Sequence, residues 1–319
     1  MTSILLPLQL QALIGLEHRQ LSFIAQAVTL AIEKEAKLTI AITCEEIKSN
    51  LQCIDAIWEK IQALLGALYV VQLNTSYQAQ KPLFNCNVVF QDICGYPIHF
   101  EPYIIAVCIV EQDKEKVNTW NTERAESPLQ CCILTDNHDD KHTNLIENTG
   151  PIEPLVFNRA AVGGTFDHLH AGHKILLTMT AILSAKSMVV GVTDDCMLLK
   201  KKHRELIDST DKRVKAVQEY LNLAKRTIQY EVVPITDPFG PTVTDPTIDA
   251  LVVSKETLKG GDLVNNERDM RGYPPLELRI IDVISSENAS VQGKDMDVLK
   301  ISSSWIRDYI AKNQPRSTS

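Results

Sequence analysis

Two histidines three residues apart, His170 and His173, stand just beyond a glycine pair, Gly163 and Gly164. An apolar segment, Pro154 to Val162, leads into them. After them Ile175, Leu176, Met179, Ile182 and Leu183 recur at helical spacing on one face. The spacing predicts a strand, a tight turn and a helix start. A helix start presents free N–H groups and partial positive charge, which together favour phosphate. Imidazoles placed there could donate to phosphate oxygens. Further along come a lysine run, Lys200 to Lys202, and a serine run, Ser302 to Ser304, with Arg307 one turn beyond. This set has donors and cations but no nucleophile with a base and an orienter. It suits the positioning and neutralising of phosphates in group transfer better than covalent catalysis.

Around the histidines the chain reads Gly164-Thr165-Phe166-Asp167 and then His170-Ala171-Gly172-His173. This resembles the first signature of the nucleotidyltransferase superfamily, (His or Thr)-x-Gly-His. Ile301-Ser302-Ser303-Ser304-Trp305-Ile306-Arg307 resembles its second signature, in the right order. Asp237-Pro238-Phe239-Gly240-Pro241 and Leu251-Val252-Val253-Ser254-Lys255-Glu256-Thr257 narrow the likeness to eukaryotic-type phosphopantetheine adenylyltransferases of coenzyme A synthesis. The resemblance runs from about Phe157 to the C-terminus.

That resemblance implies adenylyl transfer from ATP to 4′-phosphopantetheine, with Mg²⁺ carried on the phosphates. His173 and Lys201 become the catalytic candidates, with Lys200 and Lys202 as alternatives in register for the phosphate-bridging lysine. Gly163, Gly164, Thr165, Phe166, His170, His173, Ser254, Thr257, Ser302, Ser303, Ser304 and Arg307 become the ATP-binding set. Thr165, Lys201, Asn265 and Arg268 become the set for the second substrate. Arg213 matches a family arginine of structural or phosphate-binding role. Asp167 reads as a residue that fixes the turn, and His168 receives no role. No residue is assigned to a metal. Two other readings stay open: another acceptor, as in nicotinamide mononucleotide adenylyltransferases or cytidylyltransferases, and a scaffold subunit with a silent nucleotide site.

The elements that must hold these residues can be sketched from patterning. At 319 residues, 45% apolar and 23% charged, the chain is globular with room for about two domains. A net charge of -8 argues against a general nucleic-acid or anionic-membrane binder. The segment from Met1 to Leu10 makes a poor signal peptide, and no apolar run reaches membrane-spanning length. The eight cysteines, without a C-x-x-C pair, read as reduced residues of a cytoplasmic protein.

Residues 155–319 alternate strand and helix, which predicts a Rossmann-like parallel sheet with helices on both faces. Strands are expected at 155–162, 187–193, 227–234, 250–253 and 278–283. Helices are expected at 173–184, 211–225, 265–271 and 303–312. The motifs then fall at the carboxyl ends of strands, where such sheets bind ligands. Residues 1–136 read as a smaller α/β domain of unassigned role. Its helices are expected at 21–32 and from 51 to a stop near Gly66, and its strands at 37–43, 67–73, 87–90, 104–110 and 131–135. Residues 111–127 read as a long loop. Residues 137–154 read as a linker, in which His138 and His142 belong to a solvated loop. The only near miss to a kinase phosphate loop, Gly-x-x-x-x-Gly-Lys-(Ser/Thr), is Gly293-Lys294, with Asn288 upstream and Asp295 after it. The expectation is a monofunctional enzyme whose product passes to a separate dephospho-coenzyme A kinase, with that kinase or other enzymes of coenzyme A synthesis as candidate partners.

Overall fold

The computed structural model describes residues 2–136, 157–281 and 302–313. These residues belong to two compact units, divided between 136 and 157. The expectations for the linker, for Ile301 and for Gly293-Lys294 lie outside the described residues. Among the described residues no helix is long and apolar enough to cross a membrane.

The first unit is a parallel sheet in the order β3-β2-β1-β4-β5. Its strands are β1 (Ser3–Leu10), β2 (Lys37–Cys44), β3 (Cys86–Phe90), β4 (Ile104–Ile109) and β5 (Gln130–Ile133). Five helices connect them: α1 (His18–Glu33), α2 (Glu45–Ser49), α3 (Trp58–Gln78), α4 (Gln91–Cys94) and α5 (Lys114–Glu123).

Patterning misplaces three of these elements. The strand expected at 67–73 is the second half of α3, which does not stop at Gly66. Leu64, Leu65, Gly66, Leu68, Tyr69, Val70 and Leu73 are all buried, so this helix is covered on nearly every side. An all-round apolar helix loses the 3.6-residue alternation and reads like a buried strand. The loop expected at 111–127 contains α5, whose only buried residue is Val117, so its sequence is polar throughout. The strand β1, buried at Ile4, Leu5, Leu6 and Leu8, lies in the segment weighed only as a signal peptide.

The second unit is a parallel sheet in the order β10-β9-β6-β7-β8. Its strands are β6 (Phe157–Gly164), β7 (Ser184–Thr193), β8 (Gln229–Ile235), β9 (Ala250–Ser254) and β10 (Glu277–Ile281). Its helices are α6 (Ala171–Leu183), α7 (Thr210–Ala224), α8 (Leu258–Met270) and α9 (Ser303–Asn313). Every strand and helix expected here is present with shifted ends. Alternate residues of the central strands face opposite cores. Val162, Val190 and Val192 pack with Leu177, Val217 and Leu221 from α6 and α7. Ala161, Val189, Leu251 and Val253 pack with Val264 from α8 on the other face.

Burial decides these helices. In α6, Thr178 and Thr180 each cost less than about 0.7 kcal/mol of propensity. Burying Ile175, Leu177 or Met179 returns roughly 1.5–3 kcal/mol each. The chain winds from β6 outward to β8, then returns to the other side of β6 as β9. The carboxyl ends of β6 and β9 therefore flank a topological switch point, where open α/β sheets form a crevice.

The structure corrects the expectation for Asn265 and Arg268. Both lie toward the C-terminal end of α8, which runs from the carboxyl edge of the sheet back to its amino edge. Asn265 donates from Nδ2 to the Leu276 carbonyl (3.0 Å) and accepts from the Leu276 N–H (2.8 Å). Arg268 is fully buried and donates to the carbonyls of Pro274 (2.7 Å), Thr242 (2.6 Å) and Asp245 (3.1 Å). Asp245 in turn holds Arg159 at the start of β6 (3.0 Å). The pair fastens the edge of the sheet opposite to the histidine turn. Motif spacing cannot show this, because it carries no information on where along a helix a residue falls relative to the sheet edge.

Removing Arg268 strands three backbone acceptors, and hydrogen bonds to a charged donor are worth about 1.5–3 kcal/mol each. Arg268→Ala is expected to lower stability by at least about 3 kcal/mol on that scale, and Arg268→Lys to restore little of it, since an ammonium lacks the planar fork. Chemical denaturation of the two variants checks both points.

Candidate active site

The turn from β6 to α6 owes its shape to missing side chains and tolerated strain. A Cβ at Gly164 would stand 3.2 Å from the Phe166 ring, and one at Gly172 would stand 3.2 Å from Cε1 of His170. Without them, both rings fold inward around His173. His170 stacks on His173 with centroids 3.9 Å apart, and Phe166 tilts against His173 at 5.3 Å. Phe166 (φ 50°) and His168 (φ 48°) both adopt left-handed backbone. Such residues cost of order 1–3 kcal/mol each and persist only where neighbours over-determine them.

Three contacts hold the strained turn. His168 Nε2 bonds the Leu206 carbonyl (3.0 Å). The Ser303 hydroxyl donates to the Asp167 carbonyl (2.9 Å). The Asp167 carboxylate accepts from Arg307 Nη1 (2.6 Å), and both side chains are buried, 0% and 2% exposed. Asp167 thus fixes the turn, as its type and place suggest, but through a partner 140 residues away.

The two imidazoles sit at the start of α6. His170 is its N-cap in extended conformation, and no side chain caps the helix. Nδ1 of His170 and Nδ1 of His173 are buried without a hydrogen-bond partner. Loss of solvent pushes His170 down to about 4, aided by the charge of Lys174 and by His168. Loss of solvent, with His170 and His168 adding, drives His173 well below the usual histidine range. Both rings are therefore neutral at pH 7. Each can offer one N–H beside an open helix start, where an anion is favoured.

The lysine run follows β7. Lys200, Lys201 and Lys202 are all exposed. Lys202 pairs with Asp308 (2.8 Å), and its carbonyl accepts from Arg307 Nε (3.0 Å). Among the described residues, neither Lys200 nor Lys201 has a carboxylate partner. Asp308 also takes His203 Nε2 (3.1 Å), so α9 grips this loop at two neighbouring residues. Asp308 was not singled out from sequence; its partners lie about a hundred residues away and no local pattern marks it.

Arg213 is buried and serves structure. It donates to the carbonyls of Thr165 (2.8 Å), Thr193 (2.7 Å) and Asp208 (2.7 Å), and pairs with Asp195 (2.7 Å). It ties the ends of β6 and β7 to the start of α7.

At the start of α9, Ser302 Oγ accepts from the Trp305 N–H (3.2 Å), Ser303 reaches Asp167, and Ser304 Oγ accepts from Arg307 Nη2 (3.2 Å). Arg307 was expected to meet ATP phosphates. The structure corrects this: its guanidinium is spent on Asp167, Lys202 and Ser304, beneath the surface. Ser254 and Thr257 lie at the end of β9, next to β6 in the sheet. Their hydroxyls bond each other (3.0 Å), and Thr257 Oγ1 accepts from the Ser254 N–H (3.1 Å). Direct bonds thus link the turn at Asp167 to Ser303 and Arg307, and Arg307 to Lys202; Gly163 and Gly164 lie at the base of the turn, and Ser254 and Thr257 lie across the switch point.

The histidines give acid sensitivity with a definite sign. Their folded values are depressed below an ordinary value near 6.5, so between about 4 and 6.5 the unfolded chain binds more protons. Stability is expected to be flat above about pH 6.5 and to fall on acidification toward about pH 4, by at most roughly 1.4 kcal/mol per pH unit for each ring. Melting curves from pH 7 to 5 check this. His170→Gln should flatten the slope, and an unchanged slope would remove His170 from the account.

Known proteins share long stretches of this sequence. A family model described as cytidylyltransferase-like matches residues 161–309. An uncharacterized protein of Schizosaccharomyces pombe is 46% identical over 181 residues, covering 56% of this chain and 57% of that one. The chain therefore spans little more than half of that relative's length. The phosphopantetheine adenylyltransferase of Saccharomyces cerevisiae is 30% identical over 263 residues, covering 82% of this chain and 80% of that one. The phosphopantetheine adenylyltransferase of Methanopyrus kandleri is 35% identical over 158 residues, 49% of this chain and 94% of that one. With a relative of this extent, the chain belongs to the phosphopantetheine adenylyltransferase family and is a nucleotidyltransferase.

Proposed function

We propose that this chain transfers the adenylyl group of ATP to 4′-phosphopantetheine, giving dephospho-coenzyme A and pyrophosphate. A phosphate oxygen of the acceptor attacks the α-phosphorus, and the bond to the β,γ-pyrophosphate breaks in line. The observation that carries the reading is the pair of neutral, stacked imidazoles at the uncapped start of α6. They can donate to oxygens whose charge grows in the transition state, without themselves exchanging protons at neutral pH. The exposed glycine at 163 leaves the end of β6 open to close approach by a nucleotide. Thr165, Ser254, Thr257 and the serines of α9 border the same crevice.

Lys201, without a carboxylate partner among the described residues, is the cation that bridges the two substrates' phosphates. Lys202 is held by Asp308 and is the weaker candidate. Mg²⁺ enters with ATP, held by phosphate oxygens and water as that ion prefers. The sequence carries no Gly-x-x-x-x-Gly-Lys-(Ser/Thr) stretch. The reading is therefore that dephospho-coenzyme A is the released product and that a kinase with its own active site acts on it next, in the cytoplasm.

His173→Ala is expected to fold and to lower kcat by about 10²- to 10³-fold, the usual loss for one donor to developing charge. Lys201→Ala should lower turnover more than Lys200→Ala or Lys202→Ala. Steady-state pyrophosphate release, with products resolved by mass, checks both. Near wild-type kcat in His173→Ala removes the histidine from its role. Turnover with nicotinamide mononucleotide and not with 4′-phosphopantetheine overturns the choice of acceptor.

A further inference from the structure

Two cysteines of the first unit stand opposite each other on neighbouring strands. Cys108 on β4 is the register partner of Cys132 on β5. Side chains at paired positions of parallel strands point to the same face, and the strands lie about 4.7–4.9 Å apart. That separation falls within the roughly 4.4–6.8 Å that a disulfide spans between Cα atoms. Cys131 adjoins Cys132 in sequence but points to the other face, so it does not compete for Cys108.

The two partners differ in access. Cys108 is buried and Cys132 is partly exposed. The neighbouring Cys108 thiol, with the charge of Lys34 adding, lowers Cys132 to about 6, while Cys108 is held in its thiol form. An accessible thiolate beside a buried thiol is the arrangement in which one sulfur is oxidised and the other resolves it. The strand β5 has four residues and, among the described residues, is bonded along one side only, which lets it lean toward β4 as a bridge closes.

We propose that Cys108 and Cys132 form a reversible oxidation site that closes to a disulfide in the presence of a hydroperoxide. The Cys132 thiolate attacks one peroxide oxygen. The O–O bond breaks, an S–O bond forms, and sulfur loses two electrons to the peroxide, which leaves as hydroxide. The Cys108 sulfur then displaces the sulfenic hydroxyl, and its proton leaves with that group as water. The net change is two thiols and hydrogen peroxide to a disulfide and two waters. A dithiol such as dithiothreitol reverses it. No residue of the nucleotide site takes part.

Treating the full chain with near-stoichiometric hydrogen peroxide, blocking residual thiols and mapping peptides by mass tests this. The expected product has lost the mass of two hydrogens, contains a Cys108–Cys132 linked peptide and reverts with dithiothreitol. In Cys108→Ala, Cys132 should accumulate as a sulfenic acid that dimedone traps. Should that variant fail to fold, the wild-type map decides alone. Cys108 recovered as a blocked free thiol, with Cys132 driven to sulfinic acid or joined to Cys131 or to a second chain, overturns the proposal.

Discussion

The second unit depends on one buried ion pair, Asp167 with Arg307. Taking two charges out of water costs several kcal/mol per ion after relaxation, and their attraction offsets this only with good geometry and further hydrogen bonds. The geometry is close, at 2.6 Å, and Arg307 also bonds the Lys202 carbonyl and the Ser304 hydroxyl. Among the described residues the second carboxylate oxygen of Asp167 has no hydrogen bond, and His168 Nε2 lies 3.6 Å from it. Such a pair contributes little net stability. Its effect is positional. It fixes the left-handed turn that carries both imidazoles, and it fixes α9 and the lysine loop relative to that turn.

Charge in this unit is divided by depth. Arg213, Arg268 and Arg307 rank among the largest fully buried side chains; the first two bind backbone carbonyls from separate segments, and Arg307 binds the Lys202 carbonyl together with Asp167 and Ser304. A planar guanidinium with five donors can hold several chain ends at once, which an ammonium cannot. Lys174 is buried as well, but Lys200, Lys201 and Lys202 stay at the surface, where they can meet phosphate and release it. Between these layers lie two histidines that burial keeps uncharged. A neutral donor beside a helix start attracts phosphate without forming the tight ion pair that would hold the product in place.

The local parts of this design are legible in sequence. The turn from β6 to α6 shows itself in two glycines, two histidines and the apolar spacing that follows, all within about twenty residues. The strand and helix alternation of the second unit is legible for the same reason. What escapes is set by contacts between distant residues. Arg307 reads as a ligand because its partner Asp167 is far upstream. Arg268 reads as a ligand because only the fold shows which end of α8 faces the crevice. In the first unit, the burial of α3 on nearly all sides erases its period, and the exposure of α5 erases its apolar face.

The most direct test of the positional role is a double-mutant cycle on turnover. Asp167→Asn, Arg307→Gln and the pair of substitutions together would be assayed well below the melting temperature of each variant. If the pair acts as one positioning unit, each single change lowers kcat strongly and the combined change is no worse than the worse single one. The coupling should then lie at the upper end of the usual range, about 1–3 kcal/mol. Independent, additive losses, or a folded Arg307→Gln variant with near wild-type kcat, would contradict it.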